Sequence, residues 1–187
     1  MLSRSPQDSR VGVVTRFAGH RRVTVLIKLL LIIGCGEWVA SHPRYSFVFD
    51  LDAPVGEHCL RYSSFFVDDR DHAIRRGDYV AFLARGMTPF YPDGTRVVKE
   101  VAGVPGDHVV VNSLGVWVNE VQRGTLQHAQ VGGRLWRMGR RPEDYERDER
   151  VPAHRWWVMG TSPHSFDSRY WGYISDEQVI GRARGLW

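Results

Sequence analysis

The sequence predicts a mainly β chain, with one N-terminal transmembrane helix followed by a compact β-rich domain. Nineteen glycines and nine prolines punctuate the 187 residues, a density of turn formers that suits short strands. The run from Val23 to Ala40 is apolar and long enough to be read as a spanning helix. Beyond it, helical periodicity is scarce, and short β-branched or aromatic runs recur between turns. Hydrophobic residues make up 43% and charged residues 25%, which excludes a disordered chain. Two cysteines exclude a disulfide scaffold and a zinc ribbon.

Residues 1–22 carry Arg4, Arg10, Arg16, Arg21 and Arg22 against Asp8 alone, and read as a cytoplasmic tail. Residues 23–40 follow as the anchor. Eighteen helical residues span roughly 27 Å, close to a bilayer core of about 30 Å. Lys28 lies near the cytoplasmic end and snorkels; Trp38 suits the far interface. Gly34-Cys35-Gly36-Glu37 is unlike a small-residue cleavage site, so the anchor is read as retained. Residues 41–187 are then the exported domain.

Within that domain, Tyr79 to Leu83 reads as a strand and Pro89 to Gly94 as a turn. Arg96 to Ala102 is a second strand, with Val97, Lys99 and Val101 on one face and Val98, Glu100 and Ala102 on the other. Gly103 to Asp107 turns the chain. Val109–Val111 and Val116–Val118 form a hairpin around Asn112 to Gly115. Residues 122–154 are rich in Gln, Gly, Arg and acidic side chains and read as a solvated insertion or flap. Strands resume at Trp156–Met159 and end with Val179–Ala183.

Lys99 stands out chemically. If its strand face is inward, Val97 and Val101 surround an amine whose charged form is disfavoured by desolvation. A neutral amine can take a proton from a hydroxyl or a thiol. Periodicity alone equally allows an outward face, or a lysine that snorkels or pairs with a carboxylate.

The neighbouring residues form three boxes. Val98-Lys99-Glu100-Val101-Ala102-Gly103-Val104-Pro105-Gly106-Asp107 resembles the lysine box of the signal peptidase I family. Arg76-Gly77-Asp78-Tyr79-Val80-Ala81-Phe82 resembles the box that precedes it. Gly160 to Gly172, with Ser165, Asp167, Ser168, Arg169 and Trp171, resembles the last box. The order is that of the family, and the resemblance covers about residues 45–187. The details are most similar to the conjugative-transfer, TraF-type branch.

The resemblance implies a signal-peptidase-like catalytic domain, a Ser/Lys-type dyad, and neither metal nor cofactor. Lys99 matches the general base, Ser165 the serine that orients it, and Asp167 with Arg169 a supporting ion pair. Gly160-Thr161 departs from the family's Gly-Asp. The nucleophile box also departs: no Ser-x-Pro occurs in residues 41–75. Cys59-Leu60-Arg61 fits the register of relatives with Cys-Leu-Pro, 40 residues before Lys99. A thiol is acidic and nucleophilic enough for the task; a buried inert thiol is the bland alternative. Ser63 or Ser64 serves if the register slips. If instead Asp52 occupies the serine position, the chemistry is lost. Glu57 stands where an oxyanion-hole hydroxyl is common.

The expected function is therefore a single-pass enzyme of the bacterial inner membrane with a periplasmic catalytic domain. It would cleave an exported precursor such as a pilin, by hydrolysis or cyclisation, beside other transfer-apparatus proteins. The alternative is a catalytically inactive relative that binds precursors or assembles with the secretion apparatus. Nucleic acid is not an expected partner, since the arginines of residues 140–150 alternate with acidic residues. His58, His128, His154 and His164 lack metal-ligand spacing.

Overall fold

The structure, a computed structural model, describes residues 14–42, 44–49, 59–126 and 135–186, with the side chains of the N-terminal helix described from Val23 to Trp38. It divides into two units, Met1–Pro43 and Arg44–Trp187.

The first unit holds helix α1 (Val14–Ser41). Leu29, Leu30, Leu31, Ile32 and Ile33 are all exposed, and five consecutive positions point to every side of a helix. Among the described residues, however, no helix is long and apolar enough to cross a membrane. The transmembrane helix expected at 23–40 is corrected to that extent. Lys28 and Glu37 leave eight residues between them, about 12 Å of helix against a core of about 30 Å. Arg4 and Arg10 of the expected tail lie outside the described residues.

The second unit is built of antiparallel strands. These are β1 (Tyr45–Phe49), β2 (Ser64–Asp68), β3 (Tyr79–Leu83), β4 (Arg96–Gly103), β5 (His108–Asn112) and β6 (Gly115–Val118). β7 (Val121–Gly124), β8 (Arg147–Arg150), β9 (Arg155–Met159), β10 (Ile174–Ser175) and β11 (Val179–Gly185) follow, with a short helix α2 (Ser168–Trp171) after β9. Among the described residues one sheet runs β1-β2-β11-β3-β4-β9-β10 and the other β7-β6-β5-β8. The hairpin expected at 109–118 is β5–β6, with Val109 opposite Val118 and Asn112 opposite Gly115.

The larger sheet buries apolar side chains on both faces. Val80 and Phe82 of β3 enter the main core and Ala81 a smaller one with Phe65 and Val67. β4 does the same: Val97 and Val101 join the main core and Val98 the smaller. It pairs with β3 from Arg96 to Glu100 and with β9 from Glu100 to Gly103, with an irregularity after Val101. At Gly103 a Cβ would lie 3.1 Å from the Trp157 Cβ, tighter than ordinary packing, so the glycine eases the close approach of the two strands here.

The solvated insertion expected at 122–154 is corrected in part. β7 and β8 form the two edges of the smaller sheet, and Tyr145, in a 3-10 turn at Pro142–Tyr145, is buried. The reason is that edge strands are held by backbone hydrogen bonds. Their side chains face water and carry charge, as Arg147-Asp148-Glu149-Arg150 does.

Two of the sequence boxes meet through Arg76 and Asp107. The Asp107 carboxylate accepts from the Arg76 guanidinium, from Asn119 Nδ2 at 2.8 Å and from the Val104 N–H at 2.8 Å. Partial burial opposes its charge, but these donors hold its pKa below the ordinary 3.8. A depressed carboxylate stabilises the fold above its unfolded pKa and ceases to do so as pH falls through its folded one. Asp107→Asn should lower the melting temperature at neutral pH, and the gap to wild type should shrink as pH drops below about 4. Thermal melts across that range check this; a gap that does not change with pH would show that the carboxylate charge is not involved.

Candidate active site

The site is built where β9 runs out of strand partners. β10 covers β9 only at Arg155 and Trp156. Side chains take over from there: Ser168 Oγ accepts from the Val158 N–H at 2.8 Å, and Asp167 Oδ2 from the Gly160 N–H at 2.8 Å. Alternate donors on one edge are thus satisfied without a further strand, as buried backbone donors must be. Asp167 also caps α2, its Oδ1 accepting from the Arg169 N–H at 3.2 Å.

Arg169 closes the construction. Its Nε donates to Asp167 Oδ1 at 2.8 Å and its Nη2 to Oδ2 at 2.7 Å, a bidentate pair. The remaining donors reach the carbonyls of Thr125 (2.9 Å), Ser162 (3.1 Å), Ser165 (3.2 Å) and Pro163 (3.4 Å). Both residues are buried, Asp167 at 0% and Arg169 at 1% exposure. Burial works against the guanidinium charge. The attraction and hydrogen bonds of Asp167, with smaller contributions from Tyr170 and Cys59, outweigh it and hold the arginine pKa above its ordinary value. The Cys59 side chain therefore lies within electrostatic reach of Arg169.

The chain around Cys59 is docked on the turn after β9. The Cys59 carbonyl accepts from the Thr161 N–H at 2.8 Å, from Thr161 Oγ1 at 3.3 Å and from the Ser162 N–H at 3.4 Å. A Cβ on Gly160 would collide with the Ser165 hydroxymethyl group and lie 2.7 Å from the Cys59 carbonyl. Cys59, Gly160 and Ser165 are thus in mutual contact range. Glu100 pairs with Met159, so in an antiparallel ladder Lys99 stands at the level of Gly160. Lys99 is 2% exposed. It stands opposite Val80 on β3, in the same alternation as Val97 and Val101. Ser165 Oγ is buried without a hydrogen-bond partner among the described residues.

Ser64 opens β2, opposite Phe49 of β1, and its carbonyl holds the Leu186 N–H at 3.0 Å. Ser63 precedes it, partly buried. Asp52 and Glu57 lie outside the described residues. Among the described residues no group of three or more His, Cys, Asp or Glu side chains could hold a metal ion.

A cleft of about 360 Å3 lies beside this cluster, between Gln122–Thr125 on one side and Gly160–Pro163 on the other, with Arg169 in its wall. A second hollow of about 250 Å3 shares Gln122, Arg123, Gly160 and Thr161 with it and adds Glu100 and Met159. Arg123 Nη2 donates to Glu100 Oε1 at 2.7 Å. Sequence reasoning had no role for Arg123, Thr125 or Gly160. The signal was present only for Gly160, at the head of the last box.

A core lysine stands at the level of a turn that carries Ser165 and holds the Cys59 carbonyl, and these are residue types that nucleophilic acyl chemistry uses. The chain belongs to the family described as signal peptidase, peptidase S26, whose model matches residues 50–187. A signal peptidase I of Leptolyngbya laminosa is 30% identical over 117 residues, 58% of this chain and 50% of that protein. A probable signal peptidase I-2 of Synechocystis sp. is 32% identical over 110 residues, 58% of this chain and 45% of that one. The chain thus spans about half the length of the curated relatives it matches. A solved signal peptidase I from Enterococcus faecalis is 27% identical, with a TM-score of 0.35 over 58% of this chain and 95% of its own.

Removing the Asp167 carboxylate should be costly, because the Arg169 charge would stay buried with only neutral acceptors. Asp167→Ala should lose about 3–5 kcal/mol of stability, read from urea denaturation. A loss under about 1 kcal/mol would mean that the guanidinium reaches water or another carboxylate when Asp167 is gone.

Proposed function

We propose that the protein is an endopeptidase that cuts exported precursor polypeptides, with Cys59 as nucleophile, Lys99 as general base and Ser165 orienting the lysine. The observation that carries this reading is a lysine shut away from water at the level of the very turn on which the Cys59 carbonyl is held. Burial among Val80, Val97 and Val101 disfavours the ammonium, so the amine takes the thiol proton. The Arg169 charge favours the thiolate left behind.

The thiolate sulfur attacks the scissile carbonyl carbon, and the Cys59 N–H is one donor for the resulting oxyanion. Collapse breaks the carbon–nitrogen bond, and the leaving amine takes its proton from the Lys99 ammonium. Water then attacks the thioester, or a peptide amine does so if the product is cyclic. Ser165 Oγ lies beside Gly160 and makes no hydrogen bond to Lys99 in this structure, so its orienting role rests on its match to the last sequence box. The spacing of 40 residues between Cys59 and Lys99 and the fit of Cys59-Leu60 to the register of relatives with Cys-Leu-Pro favour the TraF-type branch. A pilin precursor is accordingly the proposed substrate and a transfer apparatus the proposed setting.

Lys99→Met keeps the volume and removes the base, so processing of a candidate pilin precursor, followed by mass spectrometry, should fall to background. Cys59→Ala should do the same, and Cys59→Ser should retain some activity. Normal processing by Cys59→Ala would move the nucleophile to Ser63 or Ser64. A wild-type protein that binds the precursor and leaves its mass unchanged would favour the inactive, precursor-binding reading.

α1 is proposed to hold the enzyme at the bacterial inner membrane with Arg44–Trp187 in the periplasm. Apolar side chains exposed on every side of a helix call for an apolar surrounding. The full chain should sediment with membranes and a chain lacking residues 1–43 should not, while a reporter fused at Trp187 should read as periplasmic. A full chain that stays in the aqueous fraction would refute the attachment.

A further inference from the structure

A second cavity of about 200 Å3 lies in the second unit and shares no lining residue with the cleft. Its apolar walls are Leu126, Trp136, Pro142, Tyr145 and Tyr170. Tyr145 and Tyr170 meet edge to face, with centroids 5.4 Å apart, which fixes one wall. Trp136 is 72% exposed, an indole plane that the protein itself leaves uncovered. An apolar cavity of about 150 Å3 takes a benzene molecule, so this one admits a single ring with a short substituent.

The polar groups are few and of one kind. Arg140 and Arg141 line the cavity and are exposed, and neither makes an ion pair among the described residues. The carboxylate of the neighbouring Asp144 is turned to the Arg141 backbone N–H at 2.8 Å. Tyr145 is 8% exposed, and its hydroxyl is buried with no hydrogen-bond partner among the described residues. A buried hydroxyl without a partner is destabilising until something accepts from it. Burial pushes the Tyr145 pKa up, the Arg140 guanidinium acts against this and the Asp144 carboxylate acts with it, so both charges stand near this side chain.

We propose that this cavity binds a small aromatic carboxylate. The ring lies against Trp136, Tyr145 and Tyr170, and the carboxylate meets the Arg140 and Arg141 guanidinium groups at the rim. Guanidinium forks match carboxylates in geometry and charge, and the apolar walls exclude a bare inorganic anion as the best fit. A free aryl-alkanoic acid and the C-terminal aromatic residue of a polypeptide share this chemistry. The inference does not depend on the peptidase mechanism, because none of its residues belongs to that cluster.

The test uses the full chain in nanodiscs of zwitterionic lipid, titrated with 3-(4-fluorophenyl)propanoate and followed by 19F line broadening, with empty nanodiscs as the blank. For a ligand of this size a Kd of about 1 mM is expected. The double variant Arg140→Gln/Arg141→Gln should weaken binding about tenfold, while Tyr145→Phe, which keeps the ring, should bind as wild type does. The neutral analogue 3-(4-fluorophenyl)propanol should bind correspondingly worse. Near-ultraviolet circular dichroism confirms that each variant is folded. A peptide ending in phenylalanine, with a free or an amidated C-terminus, forms the second arm and separates the two sources. The proposal is overturned if neither acid nor free-carboxylate peptide saturates by about 10 mM. It is equally overturned if the double variant stays within about threefold of wild type.

Discussion

Burying Asp167 against Arg169 takes two full charges out of water, a step that in isolation costs several kcal/mol for each ion. The structure tolerates it because the pair is saturated. The carboxylate accepts from the Gly160 and Arg169 N–H groups and from two guanidinium nitrogens. The guanidinium spends its other donors on the carbonyls of residues 125, 162, 163 and 165. Each of those carbonyls belongs to a loop, and loops have no ladder to hold them. One side chain therefore fixes the end of β7 and the turn after β9 relative to each other. The Cys59 carbonyl, Gly160, Ser165 and the cleft all lie on segments positioned in this way.

The same economy explains why the turn after β9 is so tightly packed. β9 needs an edge partner beyond Trp156, and a longer β10 would have filled the space now occupied by the turn. Ser168 and Asp167 supply the acceptors instead, from a short helix whose first residues reach back to the strand. Gly160 is then pressed between Ser165 and the Cys59 carbonyl with no room for a Cβ. A glycine at this place is a matter of contact distance, since its backbone is not among those with positive φ.

Much of the second unit was legible because its central strands bury side chains on both faces. Val80, Phe82, Val97, Val98 and Val101 are visible as short β-branched or aromatic runs between glycine turns, and so is the hairpin of β5 and β6. β8 was not legible. Arg147 to Arg150 is charged at every position and joins the sheet only through its backbone, from His108 opposite Arg150 to Val111 opposite Arg147. β1 and β2 were missed for a related reason: their pairing is distant from the three boxes, and β1 is an edge with Phe47 and Phe49 exposed. α1 was legible as a helix. Its exact relation to a bilayer turns on Lys28 and Glu37, two charges that an average over the run conceals.

The site was legible as three boxes, but their meeting was not. Nothing in the spacing says that Arg76 of one box closes on Asp107 of the next, or that the last box receives the Cys59 carbonyl on Thr161. That contact bears on the choice among the candidate nucleophiles. A proton acceptor as buried as Lys99 can serve only a group on the same short stretch of surface, because transfer needs heavy atoms about 3 Å apart. The segment at Cys59 is hydrogen-bonded to the turn at the level of Lys99, across strands already in register. Ser64 is spent in a different ladder, between β1 and the end of β11, with its own carbonyl engaged by Leu186. The segment that carries the proposed thiol is thus tied by its own carbonyl to the turn at the level of Lys99, and that tie is the contact on which the proposal of a thiol nucleophile rests.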